Sequence, residues 1–240
     1  MGFFEKFGRS AMELKTLRCI TVTGVLIALD IVLKMTVSVS IPLETGGNVK
    51  VSFAYLALAS IGMLFGPTVS FLSGIITDVI GFLMKPDGGF SPLYTFVEGM
   101  GGLIYGMFLY GLKPLEIRSG TEKKSRNWIQ ILRIVLSKVT VVIVCNLLLT
   151  PMANVISGYK SAEAELASYP LKLIKNAINC PIDCVVMILL LFPILAAYKK
   201  IFRDGVSVQN VKDGKDNRKI KSGNDPDDTD DSKTFKESDE

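Results

Sequence analysis

From Ser52 to Gly111 apolar residues and glycines follow one another almost without a break, past two acids, Asp78 and Glu98, and one short polar stretch, Lys85-Pro86-Asp87-Gly88-Gly89. In lipid an unpaired backbone N–H or C=O finds no solvent, so a run of this kind must form helices that pair their own backbone, joined by a tight turn. The remainder of the chain repeats the pattern. Its apolar segments approach the ~20 residues that a membrane span requires, and 49% hydrophobic residues with a mean hydropathy of +0.38 exceed what an ordinary soluble domain carries.

Six spans are expected: residues 17–37, 51–65, 67–84, 93–112, 128–154 and 170–198. Gly66-Pro67 separates the second from the third, since proline is tolerated at a first helical position and hardly anywhere later in a helix. Pro42, Gly46, Gly47 and Asn48 mark 40–50 as an extracellular loop. Residues 1–18, with Phe3, Phe4 and Phe7 among Lys6, Arg9, Lys15 and Arg18, read as an amphipathic cytosolic leader. Residues 19–200 form the membrane domain, and the polar residues 201–240 are expected to be a disordered cytosolic tail. The basic residues collect in the leader, in 113–127 and in 199–203, so both termini are expected in the cytoplasm. The expected class is an all-α membrane protein, a six-transmembrane-helix bundle in the cell membrane. Asp30 and Lys34 interrupt the first apolar run, which favours a retained helix over a cleaved signal.

Several functions lose their usual equipment. There is no histidine, hence no ordinary general base or commonest metal ligand. The four cysteines, Cys19, Cys145, Cys180 and Cys184, form no C-x-x-C pair. No G-x-x-x-x-G-K-[ST] string cradles ATP phosphates. No catalytic residue, metal site, cofactor or nucleic-acid footprint is expected.

The candidate binding residues are the polar groups that lipid should exclude. Asp30 and Lys34 lie one helical turn apart, either as a self-neutralising pair or as ligand contacts. Gly24 and Ala28 form a small-residue stripe roughly opposite Asp30. Asp78, and Glu98 on the face of Tyr94, Gly102 and Gly106, must face protein or water. The turn from Lys85 to Thr95 offers a cation, exposed amides and the rings of Phe90 and Tyr94, a set suited to a flat heteroaromatic ring bearing a carboxylate, though a plain hairpin also wants its prolines and glycines. Lys172, Lys175 and Asn176 stand near the expected start of the last span, either as anion contacts helped by the helix N-terminus or as snorkelling lysines.

Ile61 to Pro67, Asp78 to Phe82, Lys85 to Thr95, Gly102 to Gly106 and Pro170-Leu171-Lys172-Leu173-Ile174-Lys175-Asn176 together resemble the folate-type S component of energy-coupling factor (ECF) vitamin importers, over about residues 17–195. The resemblance implies a six-helix subunit that captures a vitamin outside the cell and performs no catalysis. A transmembrane T protein and two ATP-binding-cassette ATPases would then reorient it. Taken with the residue types, the expected substrate contacts are Asp30, Lys34, Lys85, Phe90, Tyr94, Thr95, Glu98, Lys172 and Asn176, Glu98 standing where family members more often carry a small or polar residue; the resemblance implies coupling to the T protein through Gly24 and Ala28. Three departures fall near the expected pocket: Lys172 where arginine is usual, Thr150-Pro151 where the family tends to Asn-Thr, and Leu93 in place of glycine. Folate is the default ligand, with another pterin-like or purine-like nutrient as the alternative. A secondary transporter would show two related halves, which residues 17–112 and 128–198 do not. A membrane enzyme would have to work with carboxylates and lysines such as Asp78, Glu98 and Lys85. A purely structural protein would leave the stiffened polar turn unexplained.

Overall fold

The computed structural model describes residues 3–36, 39–42, 48–51, 53–85, 89–113 and 121–222, of which 3–5, 39–42, 48–51, 121–126 and 202–222 are described by their backbone alone. The elements, in order, are α1 (Phe3–Glu13), α2 (Leu17–Thr36), β1 (Val39–Pro42), β2 (Asn48–Val51), α3 (Tyr55–Phe65), α4 (Pro67–Met84), α5 (Pro92–Leu109), α6 (Thr121–Val141), a π-helical segment (Val142–Leu149), α7 (Thr150–Ile156) and α8 (Ala162–Ser222). The protein is a helical membrane protein. Among the described residues four stretches, Leu17–Thr36, Pro67–Met84, Asn127–Ile156 and Ala162–Ile201, are long and apolar enough to cross a bilayer.

Where helices were expected they form, and the differences lie at their ends. Within the stretch expected as a loop between the first two spans, 39–42 and 48–51 pair as antiparallel strands, Val39 opposite Val51 and Pro42 opposite Asn48, and α3 starts at Tyr55 rather than 51. Helix α3 is eleven residues long, about 16 Å at 1.5 Å per residue, half a hydrocarbon core. Helix α6 begins seven residues before 128 and α8 eight before 170. At α8 the cue is Ser161, whose Oγ accepts a hydrogen bond from the Ala164 amide at 3.3 Å, followed by Glu163 and Glu165 in a first turn whose exposed N–H groups favour negative charge. Its backbone passes Pro170, Pro181 and Pro193 and continues through Ser222. The backbone of 201–222, within the tail expected to be disordered, is helical. Residues 223–240 lie outside the described residues. The chain divides into two compact units, Met1–Ala196 and Ala197–Glu240; the first holds the core and the cavity, the second the last helical stretch of α8.

The glycines of the central run set how closely the helices meet. A β-carbon on Gly62 would lie 2.7 Å from the Gly106 nitrogen, and one on Gly74 would lie 2.6 Å from the Glu98 carbonyl oxygen. One on Gly102 would strike the Ser70 carbonyl, and one on Gly106 the backbone of Pro67. Backbone therefore touches backbone along α4 and α5 and between α3 and α5, the close approach that small residues permit in membranes. Gly66, at φ 91°, makes the corner between α3 and α4 in a conformation that favours glycine. Helix α3 is buried almost all round, from Leu56 through Met63 and again at Phe65. The core joins α3, α5, α6, the π-helical segment and α8 through Met63, Leu109, Ile134, Cys145, Met187 and Leu191.

Helix α1 lies against the start of α4 and the end of α5. The buried Ser10 hydroxyl accepts hydrogen bonds from the amides of Thr68 and Val69 at 3.1 and 3.2 Å, capping α4 from another helix because Gly66 brings no side chain to do so. Lys6 donates to the Met107 carbonyl at 3.0 Å, and burial, with the Arg133 charge nearby, holds its pKa below the usual lysine value. Arg133 donates to the Tyr110 carbonyl at 3.0 Å.

Candidate functional site

A cavity of about 480 Å³ lies between α2, α3, α4, α5, α6, the π-helical segment and α8, within the range usual for small-molecule sites. One wall is acidic. Lys34 stands between Asp30 at 3.0 Å and Glu98 at 3.3 Å, with Asp30 buried and Glu98 partly open. Asp78, on the same wall, accepts a hydrogen bond from the Thr95 hydroxyl at 2.6 Å. Three carboxylates around one ammonium leave this wall able to accept N–H donors. The helices can bring them together because Gly74 lets α4 approach the backbone of Glu98.

The opposite wall is α8, where Lys172, Lys175, Asn176, Asn179 and Asp183 recur at helical spacing and all line the cavity. Lys172 pairs with the buried Glu165, which also receives both contacts of the Asn154 amide at 3.3 Å. Tyr94 donates to Asn154, so a chain of polar groups from α5 through α7 to α8 closes the rim near the start of α5. Asn176 accepts from the Asn146 amide at 3.1 Å, tying α8 to the π-helical segment. That segment precedes Pro151, which has no N–H to give. The extra residue per turn takes up the fault, and the hydroxyls of Thr150 and Tyr169 donate to the carbonyls of Cys145 and Leu147 at 2.7 and 3.0 Å. Val142, Cys145, Asn146 and Thr150 thereby reach the cavity.

Further in, Lys138 pairs with Asp183 at 2.9 Å and sits 3.7 Å from the centre of the Tyr55 ring, both charged side chains nearly enclosed. Among the described residues no group of three or more acids and cysteines is placed to hold a metal ion.

Of the residues singled out in the sequence, Asp30, Lys34, Tyr94, Glu98, Lys172 and Asn176 meet at the cavity, and Thr95 holds Asp78 there. Lys85 and Phe90 do not. Lys85 is exposed just past the last turn of α4, and Phe90, 50% exposed, packs on Phe82 with ring centres 5.2 Å apart. Neither lines the cavity, and 86–88 lie outside the described residues. The helix N-terminus expected to assist Lys172 and Lys175 is also elsewhere, at Ala162. Gly24 and Ala28 are exposed on α2, away from the buried Asp30, as 100° per residue requires. Lys138, Asp183, Glu165 and Asn154 were not picked out. For Lys138 a signal existed, since a lone lysine within the apolar residues 129–149 must face protein or water.

Residues 14–200 match the family model described as the ECF-type riboflavin transporter, S component. The folate transporter FolT of Clostridium novyi (strain NT) is 26% identical over 163 residues, covering 68% of this chain and 81% of that protein. The FolT of Streptococcus mutans serotype c is 30% identical over 102 residues, covering 42% of this chain and 50% of that one. A crystal structure of FolT bound with folic acid superposes with a TM-score of 0.56 at 26% identity, covering 72% of this chain and 91% of that one. With 14–200 matched, the chain belongs to the family of ECF-type riboflavin transporter S components, and it is a membrane transport subunit rather than an enzyme.

Proposed function

We infer that this chain captures folate at the extracellular side of the cell membrane and delivers it through a transmembrane T protein and two ATP-binding-cassette ATPases. The observation that carries the reading is the cavity between the helices, with an acid-rich wall facing a lysine- and asparagine-bearing face of α8. Folate has a flat ring rich in N–H donors and a tail with two carboxylates, which match those two walls in kind. The similarity to FolT proteins, one of them solved with folic acid, supports the same ligand. In this reading the substrate contacts are Asp30, Lys34, Tyr94, Thr95, Glu98, Lys172 and Asn176.

Six helical segments cross or enter the bilayer: α2, α3, α4, α5, the composite of α6 to α7, and α8. The leader 1–18 and tail 201–240 lie in the cytoplasm. Supporting this side are Lys6 and Arg133, both bonded to carbonyls at the end of α5 far from Tyr94. Helix α5 has eighteen residues, about 27 Å, so its two ends lie near opposite faces of a membrane. Gly24 and Ala28, exposed on α2 between Val25, Leu29 and Val32, supply the flat apolar strip on which the T protein would bear.

A flavin is the second reading, favoured by the description of the matching family. It has no carboxylate for α8 to receive. Reconstitution in liposomes tests the transport reading: folate should enter only when the T protein, both ATPases and ATP are present. Uptake by this chain alone, driven by an ion gradient, would overturn it.

A further inference from the structure

The α8 face gives the cavity a long axis. Lys172 and Asp183 both line it, and their eleven-residue separation corresponds to about 16 Å of helix. The inner end holds an arrangement that makes little sense as packing alone. Tyr105 is only 2% exposed and lines the cavity, yet its hydroxyl has no hydrogen-bond partner among the described residues. It lies within electrostatic reach of Asp183 and Tyr55. A phenylalanine would fill the same volume without a buried hydroxyl left unsatisfied. Beside it the Lys138–Asp183 pair, nearly enclosed, carries a desolvation cost that an apolar pair of the same size would avoid. Ionisable groups so placed within a membrane ordinarily serve a ligand.

We propose that Tyr105 and the Lys138–Asp183 pair form a recognition subsite for the polar edge of a flat, uncharged ring. The ring offers N–H donors to Asp183 and an acceptor to the Tyr105 hydroxyl or to Lys138, whose position over Tyr55 is fixed. This rests on the reading of the cavity as a nutrient site and adds a direction to it: the ring enters first, and an anionic tail stays beside Lys172 and Lys175. Tyr105 and Lys138 then determine which ring is accepted, since a ring without that edge leaves their polar atoms unpaired.

The test compares folic acid with pteroic acid, which keeps the ring system and lacks the glutamyl tail, by calorimetry on the purified full chain. Tyr105→Phe removes one oxygen and should weaken both ligands by the same factor, about tenfold for one neutral hydrogen bond, with the melting temperature of the ligand-free protein unchanged or raised. Lys175→Gln, at the other end, should weaken folic acid by a larger factor than pteroic acid, whose one carboxylate sits directly on the benzoate ring. Wild-type affinity of Tyr105→Phe for both ligands would overturn the proposal while leaving folate capture intact. Weaker binding of folic acid alone would overturn it too, by placing the tail inward. If the wild type binds riboflavin and not folic acid, the folate reading fails, and the subsite is tested on riboflavin: a tenfold loss in Tyr105→Phe sustains it, and no loss overturns it. A wild type that binds neither overturns both.

Discussion

Gly106→Ala puts the packing argument to a quantitative test. The new β-carbon would meet the Pro67 nitrogen at 2.6 Å and the Gly66 carbonyl carbon at 2.8 Å, both backbone atoms that cannot rotate away. Restoring ordinary carbon contact near 3.5–4 Å requires α5 to withdraw by about 1 Å, which forfeits roughly a third of the attraction of each close pair. Taking for the seam as many close pairs as a buried leucine side chain makes, about 40 at 0.1–0.2 kcal/mol each, the loss is about 2 kcal/mol. Alanine returns up to ~1 kcal/mol through its better helix propensity. The net expectation is a loss of about 1–2 kcal/mol. Gly81 is the control, because a β-carbon there meets nothing within 4 Å, so Gly81→Ala should be neutral or stabilising by up to ~1 kcal/mol. Reversible unfolding in mixed detergent micelles, followed by circular dichroism, reads both variants against the wild type. Equal stability of the two would refute the claim that α5 lies in backbone contact with the α3–α4 corner.

Other consequences follow from single contacts. Ser10→Ala strips the cap from α4 and should cost about 1 kcal/mol in the same unfolding assay. Lys138→Met leaves Asp183 buried without its partner and should cost about 3–5 kcal/mol, while the double variant Lys138→Met/Asp183→Leu should recover most of that. An additive double variant would show that the two charges do not depend on each other. Gly24→Leu together with Ala28→Leu should abolish ATP-driven uptake and leave ligand binding at wild-type strength, because this strip faces away from the cavity. Loss of binding in that variant would contradict the division of α2 into two working faces.

Helix positions and the acidic wall were legible because lipid imposes a rule that can be read residue by residue. Gly66-Pro67 marks the corner, and Asp30, Lys34 and Glu98 have no tolerable place except inside. Lys138 obeys the same rule, but its partner Asp183 lies 45 residues further along the sequence, and nothing local announces the pair. Lys85 and Phe90 are the opposite case: their residue types suit a ligand, but Lys85 lies just past α4, Phe90 just before α5, and neither lines the cavity. The pairing of Val39–Pro42 with Asn48–Val51 was hidden because proline, glycine and asparagine mark a turn without saying whether its flanks pair. The early start of α8 depended on Ser161, a cap that only a capping search would isolate from a polar loop.

Calorimetric titration of folic acid into the purified chain, without ATP or any other subunit, tests the central claim most directly. Saturable binding of one folate per chain, displaced by no flavin, is the predicted result. Absence of any saturable heat, under conditions where the chain stays folded, would contradict the claim that this cavity holds the cargo.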